Sequence, residues 1–120
     1  MQPVRLRALG AALLMLALLV PVALAADRNG RPGTDNLTGT GSADNMTGLG
    51  GNDRLSGLGG NDRLNGGTGN DRVRGGAGAD TLHSEFNGVD TVDCGPGNDT
   101  ATVDSGDRVR NCERVRRLQL

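Results

Sequence analysis

The chain lacks tryptophan, tyrosine and lysine, and Phe86 is its single phenylalanine. A small domain without large side chains cannot build an ordinary hydrophobic core, so this one either relies on disulfides or metal ions or stays unfolded. The missing aromatics also disfavour binding of nucleic acid, whose bases stack on aromatic rings. One histidine, His83, which we expect to be exposed, offers no basis for a nucleophile–base–acid arrangement, so we predict that the chain is not an enzyme.

The N-terminal segment, over positions 1–25, is typical of a cleaved secretory signal peptide. Arg5 and Arg7 precede an apolar run over residues 8–20, and Ala23-Leu24-Ala25 follows as a cleavage motif. The run is shorter than the about 20 residues of a membrane span, although an uncleaved anchor is the alternative. Cleavage would leave 11 arginines against 14 acidic residues, a formal charge of −3. We predict a secreted, extracellular protein that neither binds nucleic acid nor stays inserted in a membrane.

Two cysteines, Cys94 and Cys112, remain after the predicted cleavage. An exported chain meets oxidising conditions, which favours a disulfide over the alternative of two buried free thiols. A bond between them would close a loop of about 18 residues and contribute about 3 kcal/mol in the chain-entropy description.

Most of the remaining chain repeats with a period of nine, as in "GLGGNDRLS" followed by "GLGGNDRLN". An aliphatic residue stands two positions after each repeated aspartate, a register that a disordered linker would not keep. One step of ten interrupts the period, in the turn "SEFNGVD" that ends at Asp90. The repeated aspartates are Asp35, Asp44, Asp53, Asp62, Asp71, Asp80, Asp90 and Asp99.

Each unit predicts six turn residues followed by a three-residue strand whose central side chain points inward. Two successive units would form one coil, and parallel strands would stack the coils about 4.8 Å apart. Aspartates two units apart, such as Asp35 and Asp53, would then lie above one another and repel. A cation between coils turns that repulsion into attraction, and carboxylate and carbonyl oxygens suit Ca²⁺ better than Mg²⁺. The chain is therefore expected to fold when it binds calcium.

The units over residues 66–74 ("GGTGNDRVR") and 75–83 ("GGAGADTLH") fit the nonapeptide G-G-x-G-x-D-x-U-x, where U is aliphatic. The chain resembles the hemolysin-type (RTX) calcium-binding repeat family. This resemblance implies an all-β fold, a right-handed parallel β-roll, over residues 30–102, after a short linker at 26–29. It also implies a capping segment over residues 103–120 that a disulfide between Cys94 and Cys112 pins in place.

Carried over residue by residue, the resemblance implies about four to five Ca²⁺ ions between successive coils. Backbone carbonyls of the turns at Gly48, Gly57, Gly66 and Gly75 would complete the ligand sets. The turn before Asp90 lacks the first glycines, so no regular site is expected there. The implied metal ligands are Asp35, Asp44, Asp53, Asp62, Asp71, Asp80 and Asp99.

Arginines that follow the aspartates leave two interpretations open. Arg54 and Arg72 would share one face of the roll and Arg63 the other, either as a solvated face or as a ladder for acidic polysaccharide or phosphate. Our first hypothesis is an extracellular calcium-binding structural or binding module whose partner the sequence does not name. The alternatives are an ice- or surface-adhering solenoid, for which Thr38 and Thr47 begin a row, and the remnant of a larger RTX toxin or enzyme. The latter is disfavoured because the repeats follow the predicted signal directly.

Overall fold

A computed structural model describes residues 24–119, so most of the predicted signal peptide lies outside the described residues. Within this part of the chain every regular element is a strand, and no helix is present that could span a membrane. The strands are β1 (Asp27–Asn29), β2 (Asn36–Thr38), β3 (Asn45–Thr47), β4 (Arg54–Ser56), β5 (Arg63–Asn65), β6 (Arg72–Arg74), β7 (Thr81–Ser84), β8 (Thr91–Asp93), β9 (Thr100–Asp104), β10 (Arg108–Arg110) and β11 (Arg114–Leu118).

The strands form two parallel sheets that alternate along the chain. Odd-numbered strands make a six-stranded sheet in the order β1-β3-β5-β7-β9-β11, and even-numbered strands make a five-stranded sheet in the order β10-β8-β6-β4-β2. Leu37 lies in register with Leu55, which gives the two-unit coil that the period predicts. Across the step of ten, Val73 pairs with Val92, one residue further along than the period of nine would give. The extra residue therefore lengthens one coil, and the parallel pairing of the strands continues. The prediction of an all-β parallel solenoid is confirmed, with about five turns.

The core is one inward side chain wide. The three-residue strands β3 to β6 and β8 bury their central residue and leave the flanking residues exposed or half-buried. This thin core cannot by itself supply the burial of an ordinary domain, since each small aliphatic contributes only about 1.5–3 kcal/mol. Its buried members are Met46, Leu55, Leu64, Val73, Leu82, Val92, Cys94, Ala101 and Val103.

Glycines allow each short turn to reverse the chain. Gly67 and Gly76 adopt left-handed φ values of 89° and 96°, which glycine reaches without strain. One coil earlier, Leu49 and Leu58 stand at the same turn position with φ values of 79° and 75°. A leucine there is strained, because its Cβ crowds the following carbonyl oxygen.

Strand stacking extends beyond residues 30–102 at both ends. β1 pairs with β3 in the segment expected as a linker, and β10 and β11 pair with β8 and β9 in the segment expected as a cap. The predicted disulfide between Cys94 and Cys112 is present, with the two Cα atoms 5.1 Å apart. It joins the ends of the paired strands β8 and β10, so it fixes the last coil to the one before it.

Candidate metal centres

An acidic residue stands directly before each of the strands β2 to β11, and these residues form two columns. The columns arise because each sheet receives every second strand, so residues one coil apart meet at the same edge. The first ladder comprises Asp35, Asp53, Asp71, Asp90 and Asp107. The second ladder comprises Asp44, Asp62, Asp80, Asp99 and Glu113.

One oxygen of each carboxylate links neighbouring coils. The backbone N–H of Asp53 donates to Oδ1 of Asp71 at 2.8 Å, and the N–H of Asp62 donates to Oδ1 of Asp80 at 2.8 Å. The same bond recurs at every step of both ladders at 2.7 to 2.9 Å. Each ladder carboxylate therefore has a structural role through one oxygen and keeps its second oxygen for another partner.

The second oxygen divides the eight aspartates that the repeat predicts, from Asp35 to Asp99, into two groups. Oδ2 accepts a hydrogen bond from the Arg31 N–H at Asp35, from the Thr40 N–H at Asp44, and from the Ser84 hydroxyl at Asp90, each at 2.5 Å. In the other group Oδ2 is buried and has no partner, which costs at least about 1–3 kcal/mol for each buried acceptor. This second group comprises Asp53, Asp62, Asp71, Asp80 and Asp99.

Backbone carbonyls of the next coil approach these oxygens. A Cβ placed on Gly75 would lie 2.5 Å from Oδ2 of Asp80 and 2.6 Å from the carbonyl oxygen of Cys94, so the two oxygens converge on one point. A Cβ on Gly30 would likewise lie 2.5 Å from the Gly48 carbonyl and 2.8 Å from Oδ2 of Asp35. Only glycine leaves this oxygen-lined space open.

The carbonyls expected as ligands lie in these spaces. Those of Gly48, Gly57, Gly66 and Gly75 each approach the first glycine of the unit one coil earlier. The pattern fails at Gly66 itself, where the three nearest atoms to a Cβ all belong to Asp71. The residue one coil after Gly66 is Ser84, at the start of the irregular turn before Asp90, so the regular arrangement of carbonyl and carboxylate is not repeated in the interval between Asp71 and Asp90.

Burial disfavours the ionised form of the five aspartates whose second oxygen has no partner. Burial, opposed by the backbone hydrogen bonds and assisted by the neighbouring carboxylates of the same ladder, raises the pKa of Asp71 and of Asp80 to about 6. Burial also raises the pKa of Asp53, Asp62 and Asp99. Positive charge between the coils would relieve both the desolvation and the repulsion.

The donor set fits calcium. Within residues 24–119 no three His, Cys, Asp or Glu side chains converge on one point, so side chains alone cannot enclose an ion. Unpartnered carboxylate oxygens and backbone carbonyls are hard ligands, and Ca²⁺ accepts six to eight such oxygens in flexible geometry. Zn²⁺ favours closed tetrahedral sets of nitrogen and sulfur, which these turns do not contain.

The period of nine did not predict the C-terminal members of the two ladders, Asp107 and Glu113. Asp107 accepts the Asp90 N–H at 2.9 Å, and Glu113 accepts the Asp99 N–H at 2.7 Å. The period of nine fails there, since Asp107 follows Asp99 by eight positions and Glu113 follows six later. A signal was nevertheless present, because each acid still precedes an aliphatic residue, Val109 or Val115, by two positions.

Other residues that the sequence singled out lie away from the ladders. His83 is half-buried rather than exposed, because its Nδ1 lies 2.6 Å from a carboxylate oxygen of Glu85. Phe86 is 54% exposed in the irregular turn. Thr47, which begins the threonine row of a surface-adhering solenoid, lies between Asn29 and Asn65, so that row is interrupted on both sides.

These features define a parallel β-solenoid whose stacked turns bring carboxylate and carbonyl oxygens together between successive coils. The family model for the RTX calcium-binding nonapeptide repeat matches residues 29–64, 56–86 and 65–101, and the chain belongs to that family. The resemblance inferred from the nonapeptides is confirmed, and the chain is accordingly a calcium-binding repeat module. No curated protein matches the chain, and no solved structure does.

Proposed function

We propose that the chain is an extracellular module whose β-roll folds when calcium binds between its coils. The carrying observation is the set of buried Oδ2 atoms without a partner at five ladder positions. A chain with a core one side chain wide cannot easily offset the desolvation of these carboxylates. Calcium at 100 times its Kd would contribute about 2.7 kcal/mol per site, so several sites together decide whether the roll forms.

Each ion would lie between two successive coils. Its ligands would be carboxylate oxygens of two aspartates one coil apart and a backbone carbonyl of the later coil, and in every pair at least one aspartate has an Oδ2 without a hydrogen-bond partner. The intervals that follow are Asp35 with Asp53, Asp44 with Asp62, Asp53 with Asp71, Asp62 with Asp80, and Asp80 with Asp99. Four to five ions are expected, and the interval from Asp71 to Asp90 is left out because no carbonyl oxygen is among the three atoms nearest to a Cβ on Gly66.

The module would act by its structure and its binding rather than by catalysis. The predicted secretory signal, the disulfide and the RTX repeats all agree with a site of action outside the cell, where calcium reaches millimolar levels. The chain would remain unfolded where calcium is scarce and form the roll after export.

Counting bound ions tests this proposal. Equilibrium dialysis should give four to five Ca²⁺ ions per chain, and Asp62→Asn should lower that number by two, since Asp62 is shared by two intervals. Asp93→Asn is the matched control, because Asp93 lies on β8 away from both ladders and pairs with Arg110 at 2.9 Å. An unchanged ion count in Asp62→Asn would refute the shared-ligand arrangement.

A further inference from the structure

The outer face of the five-stranded sheet carries a groove of about 760 Å³ lined by arginines. The groove crosses β4, β6, β8 and β10, with the backbone at Leu55, Val73 and Val109 beneath it. All its arginines are exposed. We call this surface the arginine groove, and its five arginines are Arg54, Arg72, Arg74, Arg108 and Arg110.

One side of the groove is a row of like charges. Arg54 and Arg72 are direct register partners on β4 and β6, and Arg108 follows with only Thr91 between them. Like charges directly opposite each other on neighbouring strands destabilise a sheet. Within residues 24–119 these three arginines form no ion pair with an acidic residue. The row therefore keeps its full charge for an external anion.

On the other side of the groove, an acidic residue partly neutralises the charge of the arginines. Asp93 lies between Arg74 and Arg110 in register, with guanidinium nitrogens 3.9 Å and 2.9 Å from its Oδ2. The Asn111 amide also donates to Asp93 at 2.8 Å. These contacts position Arg74 and Arg110 beside the row of Arg54, Arg72 and Arg108. One side of the groove therefore carries arginines without an ion pair, and the arginines on the other side are held by Asp93.

The opposite sheet lacks this arrangement. At the equivalent position on β5, Arg63 lies between Asn45 and Thr81, and the next arginine in that row is Arg114, three strands away. The chain has a formal net charge of −1, so the basic character of the groove comes from placement and not from composition.

We propose that the arginine groove binds a linear acidic polysaccharide that lies across the strands. Neighbouring strands lie about 4.8 Å apart, so the row of arginines from β4 to β10 spans about 15 Å. The row presents its guanidinium groups at positions fixed by the sheet to an extended polymer. Arginine pairs with carboxylates through two parallel hydrogen bonds, and the rigid sheet pre-orders the row. No aromatic residue lines the groove, so nucleic-acid bases would find no stacking platform.

The proposal needs the folded β-roll, which rests on the proposed function, but no ion ligand belongs to the groove, so polysaccharide binding by a folded chain and calcium-driven folding can fail separately. Binding of fluorescent hyaluronan fragments, which carry carboxylates on alternate sugars, is measured by anisotropy in millimolar calcium, with uncharged dextran fragments as the ligand control. Far-UV circular dichroism of every variant establishes that it is folded. Binding should weaken as sodium chloride rises from about 0.1 M to about 1 M, because the Debye length falls from about 10 Å to about 3 Å.

The double variant Arg54→Gln with Arg72→Gln should bind at least about tenfold more weakly, since each lost charge-assisted bond is worth a tenfold change or more. Arg63→Gln with Arg114→Gln removes the same charge from the opposite sheet and should leave the affinity unchanged. The proposal is overturned if folded wild-type protein does not bind hyaluronan at low salt, or if both double variants lose the same affinity. Tighter binding of single-stranded DNA than of hyaluronan would overturn it as well.

Discussion

Replacing Asp80 by asparagine should stabilise the metal-free protein and destabilise the calcium-loaded one. Oδ1 of Asp80 accepts the Asp62 N–H at 2.8 Å, and Oδ2 is buried, unpartnered and close to the Cys94 carbonyl. Asparagine has the same shape and can keep the first bond, but it removes the charge. The variant therefore separates the structural role of the side chain from its proposed role as a metal ligand.

The size of the effect follows from the cost of the buried charge. Burial, with the neighbouring ladder carboxylates, raises the pKa of Asp80 from 3.8 to about 6. A shift of about two units corresponds to about 3 kcal/mol against the ionised form at neutral pH. Asparagine removes this penalty, so the metal-free variant should gain up to about 3 kcal/mol. In calcium it should instead lose about 2.7 kcal/mol for each site that Asp80 supports.

Unfolding followed by far-UV circular dichroism checks both signs. The metal-free measurement is made in excess EDTA with an osmolyte that favours the compact state, and the second in millimolar calcium. Asp90→Asn is the matched control, because Oδ2 of Asp90 already accepts the Ser84 hydroxyl. The stability of this variant should change by the same amount in EDTA and in calcium. Equal shifts of the same sign for Asp80→Asn in EDTA and in calcium would show that Asp80 is not a ligand.

Three further predictions test the turns and the ladders. Gly57→Ala should lower calcium affinity and thermal stability, because the new Cβ would lie 2.5 Å from a carbonyl oxygen of the next coil. Gly59→Ala is the control and should be tolerated, because the nearest atoms to its Cβ would be 3.7 Å away. Leu58→Gly should raise the unfolding free energy by about 1 kcal/mol by relieving the left-handed φ of 75°, while Leu58→Ala should not, and melting curves in calcium compare the two. In EDTA the free energy of unfolding should rise as pH falls, because the pKa values of Asp71 and Asp80 are raised from 3.8 to about 6 in the fold. The stabilisation by protonation is complete below pH 3.8 and is lost as pH rises through about 6. Calcium affinity should move the other way and fall below about pH 6, and a dichroism titration at several pH values would contradict the account if both rose together.

The fold could be predicted from the sequence because one spacing determines it. An aliphatic residue two positions after each aspartate sets the inward side of every strand, as Leu55 and Leu64 show, and the period of nine sets the two-unit coil. The disulfide was predictable for a separate reason, since an exported chain with two cysteines is expected to join them. None of these inferences needed a side-chain contact to be known.

The site could be predicted only in part, because the ladder does not require the exact period. The extra residue before Asp90 forms a longer turn, yet Asp90 still accepts the Asp71 N–H at 2.7 Å. Unlike the five aspartates whose Oδ2 has no partner, Asp90 receives the hydroxyl of Ser84 on its second oxygen, and Ser84 stands where the preceding units carry their first glycine. The period of nine could not reveal Asp107 and Glu113, because the closing coils are shorter, although each still precedes an aliphatic residue by two positions and strand pairing brings their carboxylates into line.

The most direct test of the account is the far-UV circular dichroism spectrum of one protein sample in excess EDTA and then in millimolar calcium. We expect a largely disordered spectrum in EDTA and a β-sheet spectrum that develops cooperatively as calcium is added, with no equal response to magnesium. A β-sheet spectrum of the same intensity in EDTA and in calcium would contradict the claim that calcium drives the folding of the roll.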